Sequence, residues 1–100
     1  MTVTLATRFV VVDAKAALID SKKAKAIWMK AGAKAFRARQ FYTGVFHGEW
    51  LIQMDFDDLG HLQKCRDAVT KSKEGAALQA SVAKSGTKLV AREVLLGIDV

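Results

Sequence analysis

The chain contains no proline, one cysteine, two histidines and no apolar run longer than the four residues Phe9 to Val12. A bilayer span needs about 20 apolar residues, so no transmembrane segment is expected. The first residues also lack the basic start and apolar core of a secretory signal, and a cytoplasmic protein is the expectation. Cys65 has no second cysteine to pair with and no CxxC or Cys/His cluster around it, which excludes an internal disulfide. Two histidines and one cysteine set far apart lack metal-ligand spacing, so no metal site is expected. No GxGxxG or P-loop pattern supplies a phosphate cradle. Without proline, low-complexity sequence or an internal repeat there is no linker to divide the chain, and residues 1–100 form one domain.

What the chain does have is the composition of a folded protein, 51% hydrophobic with 26% charged residues. Its net charge of +6 is unevenly placed. Acids in the first half are confined to Asp13, Asp20 and Glu49, against nine lysines and arginines, while the second half balances. Such a patch suits an anionic partner. The competing explanation is an amphipathic helix, because Lys15, Lys22, Lys23 and Lys30 share one arc of a helical wheel and Ala17, Ser21, Ala24, Trp28 and Ala31 the opposite one.

Glu49 to Asp58 is the most informative segment. Trp50, Ile52, Met54 and Phe56 fall on one face of an extended strand and Leu51, Gln53 and Asp55 on the other, and Asp57 or Asp58 then caps a helix. Before it, Thr2 to Val12 alternates Val3, Leu5, Thr7 and Phe9 against Thr4, Ala6, Arg8 and Val10 as a first strand. Asp13 caps a helix that Gly32 ends. Ala35 to Val45 returns to extended character, and a glycine-bounded turn over Gly44 to Gly48 makes a hairpin with the central segment.

After Asp58, the spacing of Leu59, Leu62, Cys65 and Val69 predicts a second helix ending near Lys73 to Gly75, with Cys65 a packed thiol on its buried face. A shorter helical piece with Leu78 and Val82 follows, terminated at Gly86, and Thr87 to Val100 reads as the last strand. The order β-α-β-β-α-β, with an extra helical turn, predicts an α+β, ferredoxin-like, four-stranded antiparallel sheet with both helices on one face.

The other face of that sheet should carry Arg8 and Val10, then Arg37, Arg39 and Phe41, then Leu51, Gln53 and Asp55, and finally Val90, Arg92, Val94 and Leu96. An open solvated face does not normally hold so many large apolar residues. Two such sheets packed together would close a barrel with a few charges in its lumen, so a homodimer is expected.

This order of elements, with Gln53-Met54-Asp55-Phe56-Asp57-Asp58-Leu59 and Lys73-Glu74-Gly75-Ala76-Ala77-Leu78-Gln79-Ala80, resembles the dimeric α+β barrel superfamily. That group includes the NIPSNAP-like proteins and the antibiotic-biosynthesis monooxygenase domains. The resemblance implies a fold more than a reaction. Haem-degrading members use an asparagine, a tryptophan and a histidine, and this chain has no asparagine. The glycine- and arginine-bearing first loop of acylphosphatases, another use of the fold, is missing too. A cofactor-independent monooxygenase, which the resemblance allows, needs a pocket for an electron-rich substrate and a group that takes its proton. No cofactor is expected.

The candidate ligand-binding residues are Arg8, Arg39, Tyr42, His47, Trp50, Gln53, Asp55 and Arg92; no catalytic residue is assigned. Each has a plain alternative. The plain reading is favoured for His47 as an exposed loop residue, for His61 as a surface-packing or local hydrogen-bonding group in the first turn of its helix, and for Trp50 as core. Arg8, Arg39, Gln53, Asp55 and Arg92 converge on one lumen if the strands are neighbours, either as internal Arg-Asp pairs or as a site for a polar ligand. Three functions remain open: a small-molecule binding protein or enzyme of the barrel type, an RNA-binding sheet, and a purely structural oligomer. RNA is not the expected partner, because His47-Gly48-Glu49-Trp50-Leu51-Ile52 places an acid where an RNA-recognition strand carries an aromatic.

Overall fold

Alternating β-branched and apolar residues give β1 its extended form over Val3–Val10, and Asp13 then opens α1, Ala14–Ala31, by accepting from the Ala16 N–H at 3.0 Å. The molecule is described by a computed structural model covering residues 2–100. Gly32 closes α1 in the left-handed region at φ 118°, and a Cβ there would stand 3.2 Å from the Cys65 sulfur, so glycine answers both the cap and the close approach. β2 spans Ala35–Gln40 and β3 Trp50–Phe56. Asp58 caps α2, Leu59–Lys71, by accepting from the His61 N–H at 2.7 Å. Ser72 ends α2 and caps α3, Lys73–Lys84, before β4 at Lys88–Leu96. That corner is tight: a Cβ on Gly75 would lie 2.1 Å from the Val69 carbonyl oxygen.

All three strand pairs are antiparallel, in the order β2-β3-β1-β4, and the result is the expected ferredoxin-like fold with one more helix. The piece foreseen as an extra turn is a twelve-residue helix, almost the length of α2. The second strand is shorter than expected. Backbone bonds from Phe41 N to Glu49 O and from Gly48 N to Phe41 O close a loop there, with Gly44 and Gly48 at positive φ. The last strand also stops early, leaving Ile98 82% exposed beyond it.

The core lies between the sheet and α1 and α2. Val3, Leu5, Met54, Phe56, Leu62 and Cys65 are buried together, and Trp28 packs edge-to-face on Phe56 with ring centroids 6.2 Å apart. On α1, Lys15, Lys22, Lys23 and Lys30 are all exposed and Ala17 is buried, as the helical wheel predicts. Asp20 is also buried and ties α1 to α3: Ser81 Oγ donates to its Oδ1 at 2.7 Å, while Oδ2 has no partner among the described residues.

One face assignment is corrected. Across β1 and β4, Val3 opposes Leu96, Leu5 opposes Val94 and Thr7 opposes Arg92, so Arg92, Val94 and Leu96 lie on the helix side rather than the open side. The reason is a bulge: Arg8 pairs with Ala91 and Phe9 with Leu89, leaving Val90 as an extra residue that reverses the alternation beyond it. The open face of β4 therefore carries Ala91, Glu93 and Leu95.

Candidate functional site

The open face is built from alternate residues of four strands: Thr4, Ala6 and Arg8 on β1, Arg37 and Arg39 on β2, Leu51, Gln53 and Asp55 on β3, and the three just named on β4. Its polar side chains find partners within the protomer. Arg37 holds Asp55 through two bonds, Nη1 to Oδ2 at 2.9 Å and Nη2 to Oδ1 at 3.2 Å, and Thr4 Oγ1 donates to Oδ1 at 2.7 Å. The hydrogen bonds from Arg37 hold the Asp55 carboxyl below its usual value; burial opposes this, and Thr4 and the Arg37 charge support it. The same pairing raises the Arg37 guanidinium.

Arg8 donates from Nε to Glu49 Oε1 at 3.1 Å, lies 3.7 Å from Glu93 Oε1, and stacks its Cζ 3.5 Å from the centre of the Phe46 ring. Phe46 in turn packs against Phe41, with centroids 5.6 Å apart. Arg39 Nη2 donates to Gln53 Oε1. Four of the candidate residues, Arg8, Arg39, Gln53 and Asp55, thus share one face as expected, in the arrangement of internal pairing. The sequence reading placed Arg37 on this face without naming it a site candidate and left out Thr4, Glu49 and Glu93, which strand register brings to it.

The other candidates do not join them. Tyr42 is 87% exposed and His47 is exposed, both in the β2–β3 loop. Trp50 is half-buried on the helix side, opposite Phe9. His61, half-buried, spends both ring nitrogens: Nδ1 accepts from the Asp57 N–H and Nε2 donates to the Gly32 carbonyl, each at 2.9 Å, which fits the neutral tautomer protonated at Nε2. It links α2 to the end of α1.

Arg92 is the residue that changes sides. Its Nε lies 3.4 Å from the Oγ1 of Thr7, a hydroxyl only 2% exposed. Although it retains exposed surface, enough protein surrounds the guanidinium that burial lowers its pKa, and the positive charge of Arg66 on α2 lowers it further. Neither arginine has a carboxylate within ion-pair distance among the described residues.

Two shallow open grooves, of about 310 and 390 Å³, run between α1 and the α2–α3 pair, walled by Ala26, Ile27, Val69 and Leu78. None of the sequence candidates lines them. Among the described residues no three His, Cys, Asp or Glu side chains gather as a metal site, and no helix is long and apolar enough to cross a membrane.

Solved structures share this architecture over nearly their whole length. The cofactor-independent oxygenase SnoaB from Streptomyces nogalater aligns with a TM-score of 0.66 at 11% identity, covering 99% of this chain and 95% of that one. A NIPSNAP domain protein from Burkholderia xenovorans aligns with a TM-score of 0.68 at 13% identity, covering 98% and 95%. The chain has the ferredoxin-like α+β fold of these proteins. A dimeric protein of ferredoxin-like fold from Bacteroides fragilis also aligns, with a TM-score of 0.54 at 13% identity over 94% and 92% of the two chains. No protein-family profile and no curated protein sequence matches.

Proposed function

We propose that this protein is a homodimeric α+β barrel that binds a small organic molecule, with its open sheet face packed on that of a second copy. The observation that carries this reading is the state of β4. Leu89, Val90, Val94, Leu95 and Leu96 are each between 45% and 52% exposed, on both faces of one strand, whereas the inward residues of β1 are buried. Exposed apolar surface of that extent is normal at an association or ligand site. Leu95 and Leu51 on the open face suit a second sheet, and the dimeric Bacteroides fragilis neighbour supports the same reading. Because Arg37 is paired with Asp55, Arg8 with Glu49 and Arg39 with Gln53 there, the ligand belongs on the helix side.

Within this reading, a cofactor-independent monooxygenase-like activity is the enzymatic form that SnoaB's fold suggests. Binding takes precedence over it, since Tyr42 and His47 point to no shared centre and both His61 nitrogens are engaged. RNA binding is disfavoured because Phe41 and Phe46 pack on each other and under Arg8 instead of spreading as a stacking platform.

Light scattering on the purified chain tests the dimer: the mass expected is twice 10.9 kDa. A thermal-shift series with small organic acids and aromatics tests binding, because a ligand that binds only the native state raises its melting temperature. A monomer whose melting temperature no compound moves would overturn the proposal. Oxygen uptake with an electron-rich phenol separates catalysis from binding.

A further inference from the structure

Strand register sets the open face out in transverse rows. Ala35 and Leu95 end the first row, Arg37 and Glu93 the second, and Arg39 and Ala91 the third, with β2 at one edge of the sheet and β4 at the other. The two edges differ in charge: over these rows β2 brings Arg37 and Arg39 but no acid, and β4 brings Glu93 but no cation. Two of the three charges are only partly used within the protomer. Glu93 keeps 61% of its side chain exposed, and its one ion pair among the described residues is a 3.7 Å contact with Arg8, which Glu49 already holds at 3.1 Å. Arg39 is exposed, and the group it donates to, Gln53, is neutral. Arg37 differs, because Asp55 of the first row holds it.

An isologous dimer of two aligned sheets places its two-fold axis in the plane between them, either across the strands or along them. Across the strands and centred on the middle row, the axis would set Glu93 on the partner's Glu93 and Arg37 on the partner's Arg37. Like charges so placed disfavour that arrangement. Along the strands, the axis sets β2 over the partner's β4. Leu95 then faces the partner's Ala35, Gln53 the partner's Ala6 and Arg39 the partner's Ala91, a large residue on a small one each time. The same placement brings Arg39 within one row of the partner's Glu93, whose carboxylate reaches toward that row to meet Arg8.

We propose that two copies pack their open faces about a two-fold axis parallel to the strands, with Arg39 of each paired to the partner's Glu93 so that both edges of the sandwich are latched. This rests on the homodimer reading above and adds its orientation and its specifying contacts. An exposed ion pair contributes little by itself, whereas like charges forced together repel, so charge reversal is the sharper probe.

The test measures dimer dissociation constants of the full-length chain at low salt by analytical ultracentrifugation. Arg39→Glu and Glu93→Arg should each weaken the dimer at least about tenfold, and both changes in one chain should restore it to within about threefold of the unmodified protein. Arg39 and Glu93 of one protomer stand at opposite sheet edges, so recovery can arise only between copies. Mixing the two single variants should likewise give a heterodimer tighter than either homodimer. Circular dichroism verifies that each variant is folded; if a reversed charge unfolds the chain, a double-mutant cycle of Arg39→Gln and Glu93→Gln reads the same coupling. Dissociation constants that neither reversal changes would overturn the pairing and leave the homodimer standing, and so would weakening that the combined variant does not recover. An unmodified chain that stays monomeric at every concentration would overturn both.

Discussion

β3 and β4 both pair with β1 and carry comparable numbers of large apolar residues, yet they occupy opposite environments. β3 lies between two strands and beneath helices, and its Met54 and Phe56 are 4% and 1% exposed. β4 is an edge strand; its residues opposite Leu5 and Val3 remain about half exposed, although Leu5 and Val3 themselves are buried. Residues on the same face and in adjacent registers thus differ according to whether a helix lies over them. α3 is long enough to cover more of the sheet, but Ser81 fastens it to Asp20 of α1. An uncovered edge strand in a natural protein is ordinarily blunted by charge or covered, and the aliphatic β4 reads as a strand that something else covers.

The largest expected difference lies in the cost of truncation. Phe56→Ala removes the ring that Trp28 and His61 both meet edge-on and should destabilise the protein by about 4 kcal/mol in a urea titration. Leu96→Ala, on the same sheet face but half exposed, should cost about 1 kcal/mol or less at concentrations where the chain is monomeric. Equal costs would show that β4 is as well covered as β3, and the contrast would collapse.

Next in size is the open face. Leu95→Asp places a carboxylate where the proposed second sheet packs, beside Glu93 and without a new cation. It should weaken the dimer at least about a hundredfold, roughly 2.7 kcal/mol, as read from the concentration dependence of mass by light scattering. Retention of full dimer mass would remove Leu95 from the interface. The monomeric fold should survive, since Leu95 is 47% exposed.

Smaller again is the effect of the Arg37–Asp55 ion pair on the open face. Asp55 has a lowered pKa when folded, so its contribution is complete above the unfolded value near 3.8 and is lost as pH falls through the folded one. Asp55→Asn should cost about 1 kcal/mol at pH 7, given that the Arg37 side chain keeps 39% of its surface exposed, and should flatten the loss of stability below about pH 4. An unchanged acid limb would mean that the Arg37–Asp55 pair contributes nothing in solution.

The contrast between β3 and β4 also marks where sequence reading succeeds. Local signals were sufficient for the helix caps at Asp13, Asp58 and Gly32, for the lysine arc of α1 and for the two faces of β3, because each depends on residues a few positions apart. The face of Arg92 was misassigned for an equally physical reason. Strict alternation is the only guide within a strand, and a bulge at Val90 is defined by its partner strand, some eighty residues away in the chain. Arg8, Arg39, Gln53 and Asp55 were foreseeable as a set on the open face, but the acids that Arg8 meets, Glu49 and Glu93, depend on register.

The finest probe of the comparison leaves stability nearly untouched. Cys65 is 1% exposed, its thiol donates to the Ala31 carbonyl at 3.2 Å, and burial raises its pKa above the usual 9.0 although Lys64 opposes this. The thiol form therefore persists through neutral pH, and any stability it lends is lost only as pH rises through the folded pKa. A disulfide reagent at pH 8 should label Cys65 about a hundredfold more slowly than a cysteine in an unstructured peptide, because the reactive thiolate is both scarce and enclosed. Moving the thiol to β4, as Leu96→Cys in a Cys65→Ala background, should bring the rate within about threefold of the peptide. If the dimer covers Leu96, raising protein concentration should slow that second rate while leaving Cys65 unchanged. Equal protection at both positions, at every concentration, would show that β4 is buried within the protomer and would remove the reason to seek its cover elsewhere.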